Sequence, residues 1–506
     1  MNDTKEKIIA LLTTGEPVNI ELALQLYRTI NPKYNSRLWN RAYVLFGLYR
    51  KNDFKLSKHE KIADIFKLKE LKIDFRKEAD KQFDRLEKCT PIFELLENIE
   101  AVFLNNYDYP FLPSKLSSFS SLAKVRMGLP RNYTTINLDK PAKVGANIKI
   151  KHLGFVSFNS RKPNLVDDYL NRLFRNIGKS CKTLVELDFS ETYLSEIPEN
   201  LAEIKTLQSL NLSRNERVSK SSFNNLQNLT SLQSLNLSFC KIKDDLSYLK
   251  PLKNLKSLDI SCNDLTIVPE FLGKLKGLEV LKIASNPLVR IPDFIGNSTL
   301  EELNLNHLLS SMQHDFLLPK TLKRISLCAC RFQDIPEVVW GCSNLEELNL
   351  SGNPIYGIPD KIGSLTKLKK ISVSGARLTI ETISLKIENC KNLEELDLSR
   401  NRYLEAIPEV VFIFKKLRVL NLASTKIKTI PEEIGGLTKL ESLDLSENIT
   451  GELPRSLQYL VNLKYLAVYN IYHGLVGGNQ TFVNWLKTKL PDTKIEDHRY
   501  MPGYML

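Results

Sequence analysis

The residues most able to do chemistry in this 506-residue chain are few and scattered. Gly178-Lys179-Ser180 has the end of a phosphate-binding loop. That loop needs a glycine five residues before its Gly-Lys pair, and Leu173 stands there, so no nucleotide site follows. His307, His314 and Cys328 lie near one another in sequence but have no metal-ligand spacing. No Ser/His/Asp or Cys/His constellation can be read, and no cofactor is expected. Eight cysteines remain, spread too widely for a disulfide framework. Their meaning depends on the elements that carry them.

Those elements repeat. The string Leu-x-x-Leu-x-Leu begins at Leu184 and recurs through Leu463 in thirteen units spaced 22 to 25 residues apart. Alternate residues of a strand point to opposite faces. Positions one, four and six of each unit therefore form one apolar row, and positions two, three, five and seven lie outside it. One unit cannot bury such a row, whereas a stack can. Ile-Pro or Val-Pro follows at a fixed offset, as at Val268-Pro269, Ile335-Pro336 and Ile430-Pro431. Position nine holds Asn215, Asn263, Asn286, Asn353, Asn401 and Asn448, where a buried amide can satisfy backbone groups on both sides. Thr192 and Thr425 are weaker substitutes there, while Leu308, Ala376 and Ile471 predict irregular stacking.

The cysteines now fall into place. Cys240 and Cys330 occupy the asparagine position. Cys181, Cys342 and Cys390 stand three residues before a unit, in a slot otherwise held by leucine. All read as reduced core thiols.

The sequence resembles the leucine-rich-repeat family, in its intracellular class with Ile-Pro on the convex side. One unit, Asn448 to Pro454, is similar to the plant-type variant. The resemblance covers Leu184 to Leu463. It implies an α/β fold: a curved leucine-rich-repeat solenoid with a parallel sheet on its concave face, where a protein partner would bind. Bacterial effector ligases with such repeats need a catalytic cysteine in a C-terminal domain, and no cysteine follows Cys390.

Degenerate units at Ile99, Leu122 and Ile150 extend the stack towards the N-terminus, the last trailing a helix that carries Leu165, Tyr169, Leu170 and Leu173. Four segments result: residues 1–98, a helical N-terminal cap region; 99–183, degenerate and basic repeats; 184–470, regular repeats; 471–506, a C-terminal cap. In the first, Asp3 with Glu6 predicts a capping box, Asn19 an N-cap, and Leu38 to Phe46 a third helix. In the last, Phe482, Trp485, Leu486 and Leu490 share one helical face, Pro491 ends that helix, and Thr493–Glu496 can add a strand.

The strand face carries small polar residues at position five and mostly serine at position seven. Phe239, Tyr465 and Tyr469 are its aromatic exceptions, and with His307 they are candidate partner contacts. Position two reads Glu301, Lys323, Glu346, Lys369, Glu394, Arg418, Glu441, Lys464. Strands about 4.8 Å apart would set these opposite charges side by side, a self-neutralising row.

The formal charge is +13, and all of it lies in residues 1–183, with 33 basic against 20 acidic residues; the remainder balances at 38 and 38. Lys149, Lys151, Arg161 and Lys162 belong to the dense part. They serve either as a solvated face or as a dock for an acidic protein, a nucleic acid or an anionic membrane. The start of the chain is a poor signal peptide and no apolar run can span a bilayer. A cytoplasmic, bacterial, non-enzymatic recognition scaffold is expected. The alternative is the sensor arm of a bacterial defence or signalling assembly.

Overall fold

The computed structural model describes residues 2–13, 17–30, 70–74, 100–105, 123–128, 150–156, 163–243, 245–308, 316–469 and 478–497. They form two compact units: Met1–Lys241 with Leu246–Leu255, and Ile242–Asp245 with Lys256–Leu506. Each is a stretch of leucine-rich-repeat solenoid.

The first unit opens with helices α1 (Asn2–Thr13) and α2 (Pro17–Ile30). Ile8, Leu12, Ile20, Ala23 and Leu24 are buried in them. The second helix begins at Pro17, which tolerates a first-turn position because the N–H it lacks would be unpaired there; Asn19 is already inside the helix. The expected third helix lies outside the described residues. A parallel ladder follows: β1 (Glu70–Asp74), β2 (Ala101–Asn105), β3 (Lys124–Gly128), β4 (His152–Val156), β5 (Glu186–Asp188), β6 (Ser209–Asn211) and β7 (Ser234–Asn236). A strand stands at each of the three degenerate units, with Val102, Val125 and Leu153 in register. Among the described residues the ladder includes one strand earlier than expected, inside the segment read as helical, with Leu71 in register with Val102.

Helix α3 (Pro163–Ser180) follows β4 and buries Tyr169, Leu170, Leu173, Phe174 and Ile177. Phe155 of β4 stacks on Phe189 at 4.4 Å between ring centres, and Phe174 meets Phe189 edge-on at 5.4 Å. These rings fill the space that leucines fill in regular units.

The second unit continues the same ladder form through β8 (Ser257–Asp259), β9 (Val280–Lys282), β10 (Glu302–Asn304), β11 (Arg324–Ser326), β12 (Glu347–Asn349), β13 (Lys370–Ser372), β14 (Glu395–Asp397), β15 (Val419–Asn421), β16 (Ser442–Asp444), β17 (Tyr465–Ala467) and β18 (Lys494–Glu496). The position-four residues pair across it, Leu303 with Ile325, Leu348, Ile371, Leu396 and Leu420 in turn, and all are buried. At roughly 25 cal/mol per Å² of apolar surface removed from water, this row is the main stabilising contribution. The Ile-Pro segments lead into short 3-10 helices. Pro336 and Pro408, with φ near −60°, set the entry, and Val339 and Val411 turn inward. Helix α4 (Gly478–Lys489) precedes β18, which adds its strand to β17.

Asparagine at position nine is fully engaged. The Asn353 amide donates to the Leu327 carbonyl at 2.8 Å and the Leu350 carbonyl at 2.7 Å, and its oxygen accepts from the Cys330 and Phe332 amides at 2.8 and 3.1 Å. Asn401 and Asn448 repeat the pattern. Cys240 and Cys330 keep the donation, each thiol 3.2 Å from the preceding unit's carbonyl at Leu212 and Leu305. The ladder runs through β13 although Ala376 stands at position nine, and Asn401 of the next unit makes its ordinary bonds to the Val373 carbonyl and the Leu378 amide. Seven cysteines are described and all are free thiols.

Asn353→Ala is expected to destabilise its neighbourhood by on the order of 1–3 kcal/mol, because buried backbone groups lose their partner. Native-state hydrogen exchange at Cys330 and Phe332 should report it. Asn353→Cys should cost less, since it keeps the donation that Cys330 makes; equal losses would reject this role. Thiol titration of unfolded, non-reduced protein should find eight free cysteines. In the native protein at pH 8, alkylation should reach the partly exposed Cys262 and Cys328 before Cys240, Cys330, Cys342 and Cys390, which are buried and whose pKa burial pushes up to about 11. Early labelling of that buried set would contradict the core assignment.

Candidate functional site

A groove of about 570 Å³ runs across β10–β15 on the solvent-facing side of the second unit. Strand alternation makes it. Leu303, Ile325 and Leu348 point into the core, so positions three and five point out.

Position three forms one row: Glu302, Arg324, Glu347, Lys370, Glu395, then Val419. Arg324 meets Glu302 at 2.9 Å, Lys282 meets Glu302 at 3.2 Å, and Lys370 meets Glu395 at 2.9 Å. Burial alone would raise the Glu302 carboxyl, but the bonds from Arg324 and Lys282 outweigh it and hold it below the usual range. The position-two row behaves likewise. Lys323 pairs with Glu301 and Lys369 with Glu346, each at 2.8 Å. Glu441 sits between Arg418 and Lys464, 2.6 Å from both, and their hydrogen bonds pull its pKa down to about 2. Exposed pairs of this kind contribute little to stability because water screens them. Glu302 and Glu441, held low, and Arg324 and Lys370, held high by their partners, keep their charge through the neutral range, so they suit recognition better than proton transfer.

Position five has a structural role that sequence reading missed. Asn304, Asn349, Asp397 and Asn421 each accept from the backbone N–H two residues on, at 3.0 to 3.1 Å. These Asx turns end the strands. The signal was available: an Asx residue two before a serine in unit after unit. Ser326 and Ser372 stand where the turn bond is missing and donate sideways, to Asn306 at 2.7 Å and to Asp397 at 2.9 Å.

The candidate contacts chosen from sequence do not converge on this groove. Phe239 and His307 occupy position eight, with φ of +56° and +58°, so they sit on the turn after the strand and not on the strand face. That position is left-handed in twelve successive units, from Glu191 to Glu447. Arg214 lies over the Phe239 ring, 4.7 Å from its centre. Tyr465 is bound to the closing strand: its hydroxyl donates to Glu496 at 2.8 Å, and burial together with that carboxylate pushes its pKa up to about 12. Tyr469 is half-buried, its carbonyl taken by the Glu447 amide at 3.0 Å. Lys151 is exposed ahead of β4. Lys149, Arg161, Lys162 and His314 lie outside the described residues. Among the described residues no group of three or more His, Cys, Asp or Glu is placed to hold a metal ion, and no helix is long and apolar enough to cross a membrane.

Family models described as leucine-rich repeat match residues 228–245, 254–275, 344–365 and 391–449. A probable serine/threonine-protein kinase of Dictyostelium discoideum, pats1, is 31% identical over 206 residues, which is 40% of this chain and 6% of that protein. Plant intracellular Ras-group-related LRR protein 8 of Oryza sativa subsp. japonica is 35% identical over 121 residues, 24% of this chain and 32% of that protein. The human volume-regulated anion channel subunit LRRC8A is 30% identical over 179 residues, 33% and 21% of the respective chains. The chain thus spans between 6% and 32% of the length of these relatives. Among solved structures, a Leptospira interrogans LRR protein aligns over 91% of this chain and 97% of its own, at 20% identity and a TM-score of 0.46. A chain of the Drosophila Toll–Spatzle complex aligns over 79% and 60%, at 19% identity and a TM-score of 0.49. The repeat matches, the leucine register of the parallel ladder and the buried amides at position nine show the fold of a leucine-rich-repeat solenoid.

Proposed function

We propose that this chain is a non-enzymatic recognition scaffold that holds a protein partner on the strand face of β10–β15. Leucine-rich-repeat proteins typically act as protein-interaction scaffolds. The observation that carries the reading here is the face itself: six adjacent strands hold out charged and polar groups in fixed register above a shared groove. Arg324 and Lys370 are oriented by their carboxylate partners before any ligand arrives, so little side-chain freedom is lost on binding. The small side chains Ser326, Ser372 and Val419 leave room between the long ones. A partner with polar and charged side chains fits this surface better than one with a large apolar patch. The free core thiols support a reducing, cytoplasmic setting.

The test fills the groove without touching the core. Ser372→Tyr with Val419→Trp should weaken capture of a partner identified by cross-linking mass spectrometry at least roughly tenfold, leaving the thermal midpoint nearly unchanged. Lys386→Trp, in a 3-10 helix away from the groove, serves as the control. Equal capture by the groove-filled protein and the control would move the binding site off this face.

A further inference from the structure

From Glu301 to Lys464 at position two, and from Glu302 to Glu395 at position three, neighbouring units alternate in sign and most of these charges pair. At position ten, on the turn edge beyond the strands, three successive units carry Arg377, Arg402 and Lys426. All three are exposed, as are Arg400 at position eight and Tyr403 at position eleven. Among the described residues Arg400, Arg402 and Lys426 have no ion pair. Arg377 donates to the Tyr356 hydroxyl at 2.8 Å and lies over that ring, so it too keeps its charge uncompensated. The nearby Glu405 is already bound to Lys428.

Like charges in successive units repel, and from Glu301 to Lys464 position two alternates in sign. The row is also rigidly mounted. Arg377 adjoins Leu378, whose amide is held by Asn401, and Lys426 adjoins Ile427, whose amide is held by Asn448. Arg402 follows Asn401 directly. The Arg377 and Lys426 amides donate to the Ile355 and Leu404 carbonyls of the preceding units, at 2.9 and 3.0 Å. Cations fixed at the pitch of the repeat, with an exposed tyrosine among them, present a linear target for an anionic strand.

We propose that the edge formed by Arg377, Arg400, Arg402 and Lys426, with Tyr403, docks an extended acidic peptide segment of a protein partner. A peptide fits better than a nucleic acid. Residues 184–506 have no net charge, and the acidic members of the strand-face rows would repel a long polyanion laid beside them. A short run of carboxylates meets only the edge. The Arg guanidinium forks suit carboxylates, and Tyr403 offers a ring for the peptide backbone or an apolar side chain. This surface is separate from the strand-face groove. It deepens the scaffold reading by naming a partner chemistry, and it is tested without the groove.

The experiment uses the full chain and a fluorescein-labelled ten-residue peptide alternating glutamate and glycine, read by fluorescence anisotropy in physiological salt. The variant is Arg377→Gln/Arg402→Gln/Lys426→Gln. Binding to the unaltered chain should weaken roughly tenfold or more in the variant and should weaken in both as salt rises. The variant's thermal midpoint should stay level or rise, because repulsion within the row is relieved; this separates lost docking from lost folding. The groove-filled Ser372→Tyr/Val419→Trp protein should bind the peptide as the unaltered chain does, so failure here and failure of the scaffold reading are distinguishable. No peptide binding by the unaltered chain, or equal binding by the triple variant, overturns the proposal. Tighter, variant-sensitive binding of a ten-nucleotide oligothymidylate overturns the peptide assignment in favour of a nucleic acid.

Discussion

The constraint on which this architecture depends is the fate of the backbone groups just after each short strand. The chain must turn inward there to begin its return path, carrying N–H and C=O groups into a leucine-lined interior. An unpaired buried backbone group costs about as much as a lost hydrogen bond, so each must find a partner. Asparagine at position nine supplies two donors and an acceptor on one short side chain, and it reaches one unit back with them. Where cysteine replaces it, the thiol still donates to the same carbonyl. Threonine at 192 and 425 instead binds the asparagine of the following unit, making a relay.

The second governing feature is register. Parallel strands one unit apart place like positions side by side, so every surface position becomes a row and its chemistry is set by succession. Alternating glutamate with lysine or arginine makes a neutral, ordered row. Repeating one sign makes a charged edge. Composition cannot distinguish these outcomes, because residues 184–506 sum to zero in either case. The left-handed turn at position eight works the same way. Gly352 and Gly375 adopt it without strain, and other units hold Phe239, His307, Arg400 or Glu447 in it, on the turn after the strand.

Much of this was legible in the sequence, for physical reasons. A stack buries one leucine row, so the period announces it; the cysteine slots followed from aligning units on that period. The same alignment gave the opposing charges at Glu301 and Lys323 or Glu346 and Lys369, and these pair. The strand at Glu70–Asp74 was missed because it stands alone in a charged stretch whose helical pattern is equally good. Phe239 lies on the turn and not on the strand face because one residue separates the two, and apolar periodicity does not mark that boundary. The Asx turns escape a reading by hydrophobic pattern because their bond is local to the backbone. The basic edge escaped because charge was counted by segment and not by position.

The hydrogen bonds that tie each unit to its neighbour have a kinetic meaning. Those made by Asn215, Asn286, Asn353, Asn401 and Asn448 to another unit span 21 to 28 residues. The loop that must close to form any one of them is the same wherever it lies in the chain, and adding units does not lengthen it. Loop-closure entropy and contact order, which slow the folding of long chains with distant strand pairings, are therefore capped at the value of one repeat. A parallel sheet usually folds slowly because its neighbouring strands are remote in sequence. Here that remoteness is fixed at some two dozen residues, so the search for each pairing is that of a small domain, performed repeatedly from whichever unit orders first.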